Sequence, residues 1–214
     1  ITSIDSQSAC AVSPSSNNTV NIIVNSTPTA VAGAAFSTCS DSGAVNILTG
    51  SSATNQASVL WTSSGTGTFS NATSLSSCTY TPSATDITAG SVIITLTAYG
   101  NSPCGNATSS KTLTIRRAAT SSAGTAINTC YNSGAVNITA GSSASNYSSI
   151  LWTSSGTGTF ANANNLTTCT YNPSAADIAA GSVTLTLTAN GNSPCGNTSN
   201  TITLSKSVLG TWLG

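Results

Sequence analysis

Residues 60–69 read LWTSSGTGTF, and residues 151–160 read the same ten letters. Sliding the chain against itself by 91 residues matches 49 of the 68 positions from 39 to 106, so a whole unit is duplicated rather than a site. A period of that size exceeds the roughly 20 to 50 residues of solenoid repeats and fits a complete small domain in tandem. Within the ten residues, Leu60 and Trp61 end a core strand and SSGTG supplies a turn in which glycine tolerates positive φ. Thr68 and Phe69 then begin a returning strand, and the motif reads as a hairpin. A phosphate-cradling loop does not fit, because no Lys and no helix follow Gly65 and Gly67 at the required spacing.

Outward from the motif, alternating apolar runs bounded by turn residues dominate: TVNIIVNS at 19–26, SVIITLTAYG at 91–100, KTLTIRR at 111–117 and SVTLTLTANG at 182–191. Period two with Thr, Val and Ile predicts strands. About seven fall in each copy, near 36–40, 44–49, 57–63, 66–70, 77–81, 91–99 and 110–116, with equivalents 91 residues later. This count predicts an all-β chain of two tandem Ig-like antiparallel β-sandwiches. The segments are an N-terminal extra strand over 1–28, a first repeat over 29–118, and a second repeat with a short apolar tail over 119–214. Trp61 and Trp152 fall on the third strand, where the expectation is core packing rather than a sugar platform. PSATDITAG and PSAADIAAG read as single helical turns, capped by Asp86 or Asp177 and ended by Gly90 or Gly181.

Composition narrows function. Only 4% of residues are charged, against roughly 25% in ordinary soluble proteins, and four cations balance four Asp. Glu, His and Met are absent, and Ser and Thr fill 77 positions. Such a surface repels itself weakly and favours association. Nucleic acid is not an expected partner, because the only adjacent cations are Arg116 and Arg117. No apolar run reaches the length of a membrane span. Catalysis lacks parts: acid–base work would fall to Asp5, Asp41, Asp86 and Asp177, and the repeated pair reads as turn caps. The chain is expected to be non-enzymatic and without cofactor. Eight Asn-x-Ser/Thr sequons occur, but 21 Asn at this Ser/Thr frequency produce about as many by composition alone.

The run WTSSGTGTF, then TYTPSATDITAGSV or TYNPSAADIAAGSV, then LTLTA and GNSPCGN resembles the Ig-like repeats of very large secreted surface proteins of Bacteroidota-type bacteria. The resemblance spans roughly residues 29 to 208. It implies sandwich modules strung into long extracellular adhesins or fibres, with no catalytic residues to carry over. It also implies a cysteine before the second strand and one in the GNxPC loop, here Cys39 with Cys104 and Cys130 with Cys195. Cys78 and Cys169 depart from that pattern.

Six of the seven cysteines form pairs at the 91-residue spacing: Cys39/Cys130, Cys78/Cys169 and Cys104/Cys195. Seven cysteines in so uncharged a chain place it in an oxidising, extracellular setting. The expected intradomain bonds are Cys39–Cys104 and Cys130–Cys195, each worth about 3 to 5 kcal/mol by chain entropy, with Cys39–Cys78 and Cys130–Cys169 as the alternative. Cys10, Cys78 and Cys169 are the expected free or intersubunit thiols, and the second and third read as core thiols beside Tyr80 and Tyr171. With no CxxC and no His, a metal site is not expected.

Cys10 precedes TVNIIVNS much as Cys104 precedes KTLTIRR, so residues 1–28 read as the last strand of a repeat. A strand carrying Val20, Ile22 and Val24 on one face needs a sheet edge. The expectation is a second copy, joined by strand addition or donor-strand complementation into a head-to-tail homopolymer, with Trp212 and Leu213 docking at the other end. The chain then reads as the structural subunit of a surface or matrix filament. The alternatives are a repeat segment of a long cell-surface adhesin, or a carbohydrate-binding module that meets surface glycans through Tyr99, Tyr131 and Tyr147.

Overall fold

A computed structural model describes residues 24–130 and 133–207. Cys10, Val20, Ile22, Tyr131, Trp212 and Leu213 lie outside the described residues.

The first module runs through β1 (Thr29–Val31), β2 (Phe36–Cys39), β3 (Val45–Asn46), β4 (Ser52–Thr54), β5 (Gln56–Ser63), β6 (Thr68–Ser70), β7 (Thr79–Thr81), α1 (Ala84–Ala89), β8 (Ser91–Gly100) and β9 (Ala107–Arg116). The second repeats it as β10 (Thr120–Ser122), β11 (Ile127–Cys130), β12 (Val136–Asn137), β13 (Ser143–Ser145), β14 (Tyr147–Ser154), β15 (Thr159–Ala161), β16 (Thr170–Asn172), α2 (Ala175–Ala180), β17 (Ser182–Gly191) and β18 (Thr198–Ser207). In each module a four-stranded sheet, ordered β2-β9-β8-β5 or β11-β18-β17-β14, faces short strands paired β3-β7-β6 and β1-β4, or β12-β16-β15 and β10-β13.

Alternation decides which face is inside. On β8, Val92, Ile94, Leu96 and Ala98 are buried while Ile93 between them is half exposed. They meet Trp61, Tyr80, Ile47 and Leu113 in one cluster, and the second module builds the same cluster around Trp152. Trp61 and Trp152 are each 1% exposed, so each removes about 200 Å² of apolar surface from water, on the order of 5 kcal/mol.

The quoted motif is not a hairpin. β5 pairs with β8 and β6 pairs with β7, so residues 64–67 carry the chain from one sheet to the other. Its glycines are needed for room, since neither Gly65 nor Gly67 has positive φ. A Cβ on Gly65 would run into the Asp86 carboxylate and Val92, and one on Gly67 into the Tyr80 ring.

The sandwiches are also not wholly antiparallel: β2 runs parallel to β9, and β11 parallel to β18. The first strand of each module is split, its front half β1 pairing with β4 and its rear half β2 with β9. The chain changes sheets between them at Gly33, where φ is +88° and a Cβ would strike the Thr49 carbonyl. This crossing fixes where Cys39 goes. It pairs with Arg116 at the far end of β9, at the pole where the chain leaves the module, here called the tail. The loop between β8 and β9, with Cys104, lies at the opposite pole, the head.

Candidate functional site at the module junction

The repeated carboxylates come first, because they are the only buried acids among the described residues. Asp86 is 2% exposed and accepts four hydrogen bonds. They come from the N–H of Thr66 (2.9 Å), Gly67 (2.9 Å) and Ser83 (3.0 Å) and from the Tyr80 hydroxyl (2.7 Å). Asp177 has the same four donors from Thr157, Gly158, Ser174 and Tyr171. Burial pushes these carboxyls up, but the hydrogen bonds outweigh it and hold both below their ordinary value, Asp177 at about 2. Ser83 and Ser174 are the helix N-caps, and each acid completes a capping box. The acids therefore tie the crossover loop to the helix and stay ionised.

The cysteines assemble differently from the expected pairing. Cys39 bonds Cys195, across 156 residues and between modules, with Cα atoms 4.9 Å apart, within the normal span of a disulfide. Neither Cys39–Cys104, Cys130–Cys195 nor either alternative forms. The reason is the parallel pairing of β2 with β9. Cys39 stands beside Arg116 while Cys104 precedes Ala107, so the length of β9, about 30 Å at roughly 3.3 Å per residue, separates them. Cys104 and Cys130 are unbonded, the first half-buried and the second exposed. Cys78 and Cys169 are wholly buried thiols, and burial raises each to about 11.

Around the bond, the tail of the first module and the head of the second are laced through the three residues between β9 and β10. Ser40 N–H donates to the Arg116 carbonyl at 2.8 Å, and Ala118 N–H donates to Ser40 Oγ at 3.0 Å. Asn146, held at φ 55°, donates its side-chain amide to the Ala118 carbonyl at 3.1 Å and accepts from Asn192 at 3.0 Å. The Cys195 sulfur rests 3.4 Å from the Arg116 carbonyl. Both bonded cysteines are at most 7% exposed.

The head of the first module repeats this lacing one period earlier. Asn55, at φ 57°, donates to the Thr27 carbonyl at 3.2 Å and accepts from Asn101 at 3.4 Å, and the Cys104 sulfur lies 3.4 Å from the Asn25 carbonyl. At the tail of the second module, Ser133 N–H donates to the Cys130 carbonyl at 3.1 Å, as Ser42 N–H does to that of Cys39. Lys206 Nζ braces that end on the Ser133 carbonyl and hydroxyl at 2.8 and 2.9 Å.

Other expected positions scatter. Val24 is 87% exposed and outside any strand. Tyr99 and Tyr147 are 37% and 38% exposed, but they sit in different modules and form no row. Lys111 is 5% exposed with no carboxylate partner among the described residues; its Nζ donates to the Ile47 carbonyl and stands 5.2 Å from the Phe36 ring and 5.6 Å from the Trp61 ring.

No protein-family model matches the chain, and no curated protein matches it. Among solved structures it is similar to the extracellular domains 3–5 of Drosophila OTK, with a TM-score of 0.50 and 16% identity over 85% of this chain and 60% of that one. It is also similar to Drosophila N-cadherin EC1–4 (TM-score 0.45, 16% identity, 86% and 50%) and to Sidekick-1 immunoglobulin domains 1–4 (0.43, 13%, 84% and 48%). The chain thus spans about half the length of most of these neighbours. The class is settled by the strand order and the OTK match: an all-β protein of tandem Ig-like sandwiches.

Proposed function

We propose that the chain is a non-enzymatic extracellular structural protein, whose modules align end to end in a surface or matrix filament built head to tail from identical subunits. The observation that carries this reading is the disulfide across the junction of two nearly identical modules. A catalytic or ligand-gated protein gains little from locking its domains, whereas a load-bearing string gains fixed geometry. The bond also favours an oxidising compartment, and the near-absence of charge lowers the repulsion between aligned copies.

Strand addition by residues 19–26 remains the proposed recruiting step. Those residues correspond, at multiples of 91, to the C-terminal parts of β9 and β18, with Val20 and Ile22 matching the buried Ile202 and Leu204. Both last-strand places are filled by the chain itself, β9 between β2 and β8 and β18 between β11 and β17. Donor-strand joining would therefore require exchange with β18 rather than insertion into a gap. A repeat segment of a longer adhesin is the second reading, favoured by the likeness of GNSPCGN and its flanking runs to surface-protein repeats. Electron microscopy of the purified chain under oxidising conditions tests the proposal. Filaments of uniform width are expected, and monodisperse single particles at high concentration would overturn it.

A further inference from the structure

The bonded cysteines and the unbonded ones are the same two positions of the repeat. Cys39 is the tail cysteine of the first module and Cys130 that of the second; Cys195 is the head cysteine of the second module and Cys104 that of the first. One head and one tail are joined, which leaves one of each unbonded, Cys104 half-buried at the head of the first module and Cys130 exposed at the tail of the second. The surroundings of the unbonded pair are already in the bonded form. Cys104 has the carbonyl of Asn25 at the distance at which Cys195 has that of Arg116, 3.4 Å, and both carbonyls precede their cysteine by 79 residues. Asn55 and Asn101 hold the approaching chain as Asn146 and Asn192 do. Cys130 closes the same turn as Cys39.

We infer that Cys130 of one copy bonds Cys104 of a second copy, so that the internal junction is reproduced between molecules as a covalent, head-to-tail chain. The inference rests on the head-to-tail reading and adds its bond. Two features of the new junction differ from the internal one. Tyr131 replaces Ser40, so the hydrogen bond to the linker through that hydroxyl is not carried over. Asn25 and Ser207 both correspond to Arg116 and compete for one place; Asn25 keeps it beside Cys104, and Ser207, which pairs with Cys130, must give it up. The oxidant is a small-molecule disulfide such as oxidised glutathione. The Cys130 thiolate attacks it and expels one thiol; the Cys104 thiolate of the next copy attacks the Cys130 sulfur and expels the second. One disulfide is formed and one reduced, and the two protein protons leave on the two glutathione thiols.

The full chain, incubated in a glutathione redox buffer and run without reductant, is expected to give a ladder of multiples that collapses on reduction. Peptide mapping should recover Cys130 joined to Cys104. Cys130→Ser and Cys104→Ser should each abolish the ladder, while an equal mixture of the two folded variants should stop at dimers, because only one productive end remains on each. Cys104→Ala serves where Cys104→Ser does not fold. A ladder that survives in Cys130→Ser, a Cys130–Cys130 peptide, or no cross-link in wild type would overturn the inference. If filaments are seen by microscopy while the cross-link is absent, the bond fails and head-to-tail assembly stands; if neither forms, both fail.

Discussion

Replacing both Cys39 and Cys195 by Ser should uncouple the two modules. In the chain-entropy model a bridge spanning 156 residues restricts the fully unfolded chain by about 5 kcal/mol. When the second module alone unfolds, the first still holds Cys39 beside Arg116, so the restrained loop is the 79 residues from Arg116 to Cys195 and the effect is about 4.5 kcal/mol. Unfolding the first module alone gives a loop of nearly the same size. Each module is therefore stabilised almost fully while its sister is folded, yet the two together gain hardly more than one. The difference, about 4 kcal/mol, is cooperativity. Urea unfolding followed through Trp152 in a Trp61→Phe, Trp212→Phe background, and through Trp61 in the converse one, should give coincident transitions for the bonded protein. Without the bond each midpoint should fall by about 2 M or more and the two should separate. Midpoints that move by less than about 0.5 M, or that were separate from the outset, would refute the reasoning.

Acid should weaken the second module in a defined window. The Asp177 carboxyl sits at about 2 when folded against a reference of 3.8, so its contribution, about 2 kcal/mol, is present above pH 4 and lost as pH falls from 4 to 2; thermal melts of Asp177→Asn should be flatter across that range. Burial lowers Lys111 below its ordinary 10.5, which makes the charged form a cost to the fold that is relieved as pH rises from the folded value through 10.5. Lys111→Ile, the residue at the matching position 202, should raise the stability of the first module on the order of 1 kcal/mol and abolish its alkaline gain, as read by melts at pH 7 and 10. Gly67→Ala should cost about 1 to 3 kcal/mol by overpacking against Tyr80, whereas Gly105→Ala, with nothing within 4 Å of its Cβ, should change the unfolding midpoint little.

The alternation of Val92, Ile94, Leu96 and Ala98, the duplicated tryptophans and the helical turn that Gly90 ends were legible as local patterns, although the residue at the N-cap is Ser83 and Asp86, expected there, completes the capping box three residues on. Partnership was not. LWTSSGTGTF shows a strand, a turn and a strand, and nothing in those letters says that the two strands join different sheets. What could have warned of it lies twenty residues on, in Asp86, whose carboxylate needs donors from the glycine loop. The cysteines were legible as bonding positions, but their partners were not. A gap of 65 residues between Cys39 and Cys104 looks like an intradomain closure only if strand direction is ignored. Gly33 ahead of Phe36 was the local hint that the first strand changes sheets, and with it the pole at which Cys39 emerges.

The same crossing at Gly33 governs how the molecule answers to pull. Tension applied at residues 24 and 207 reaches Cys39 through β1 and β2 and Cys195 through β18, about 15 and 12 residues from either side, and there the sulfur bridge short-circuits the path. The 156 residues behind it, a slack on the order of 500 Å if fully drawn out, stay out of the line of force until the bridge is reduced. A thiol reagent thereby converts an almost inextensible link into a long elastic tether, without cutting the backbone.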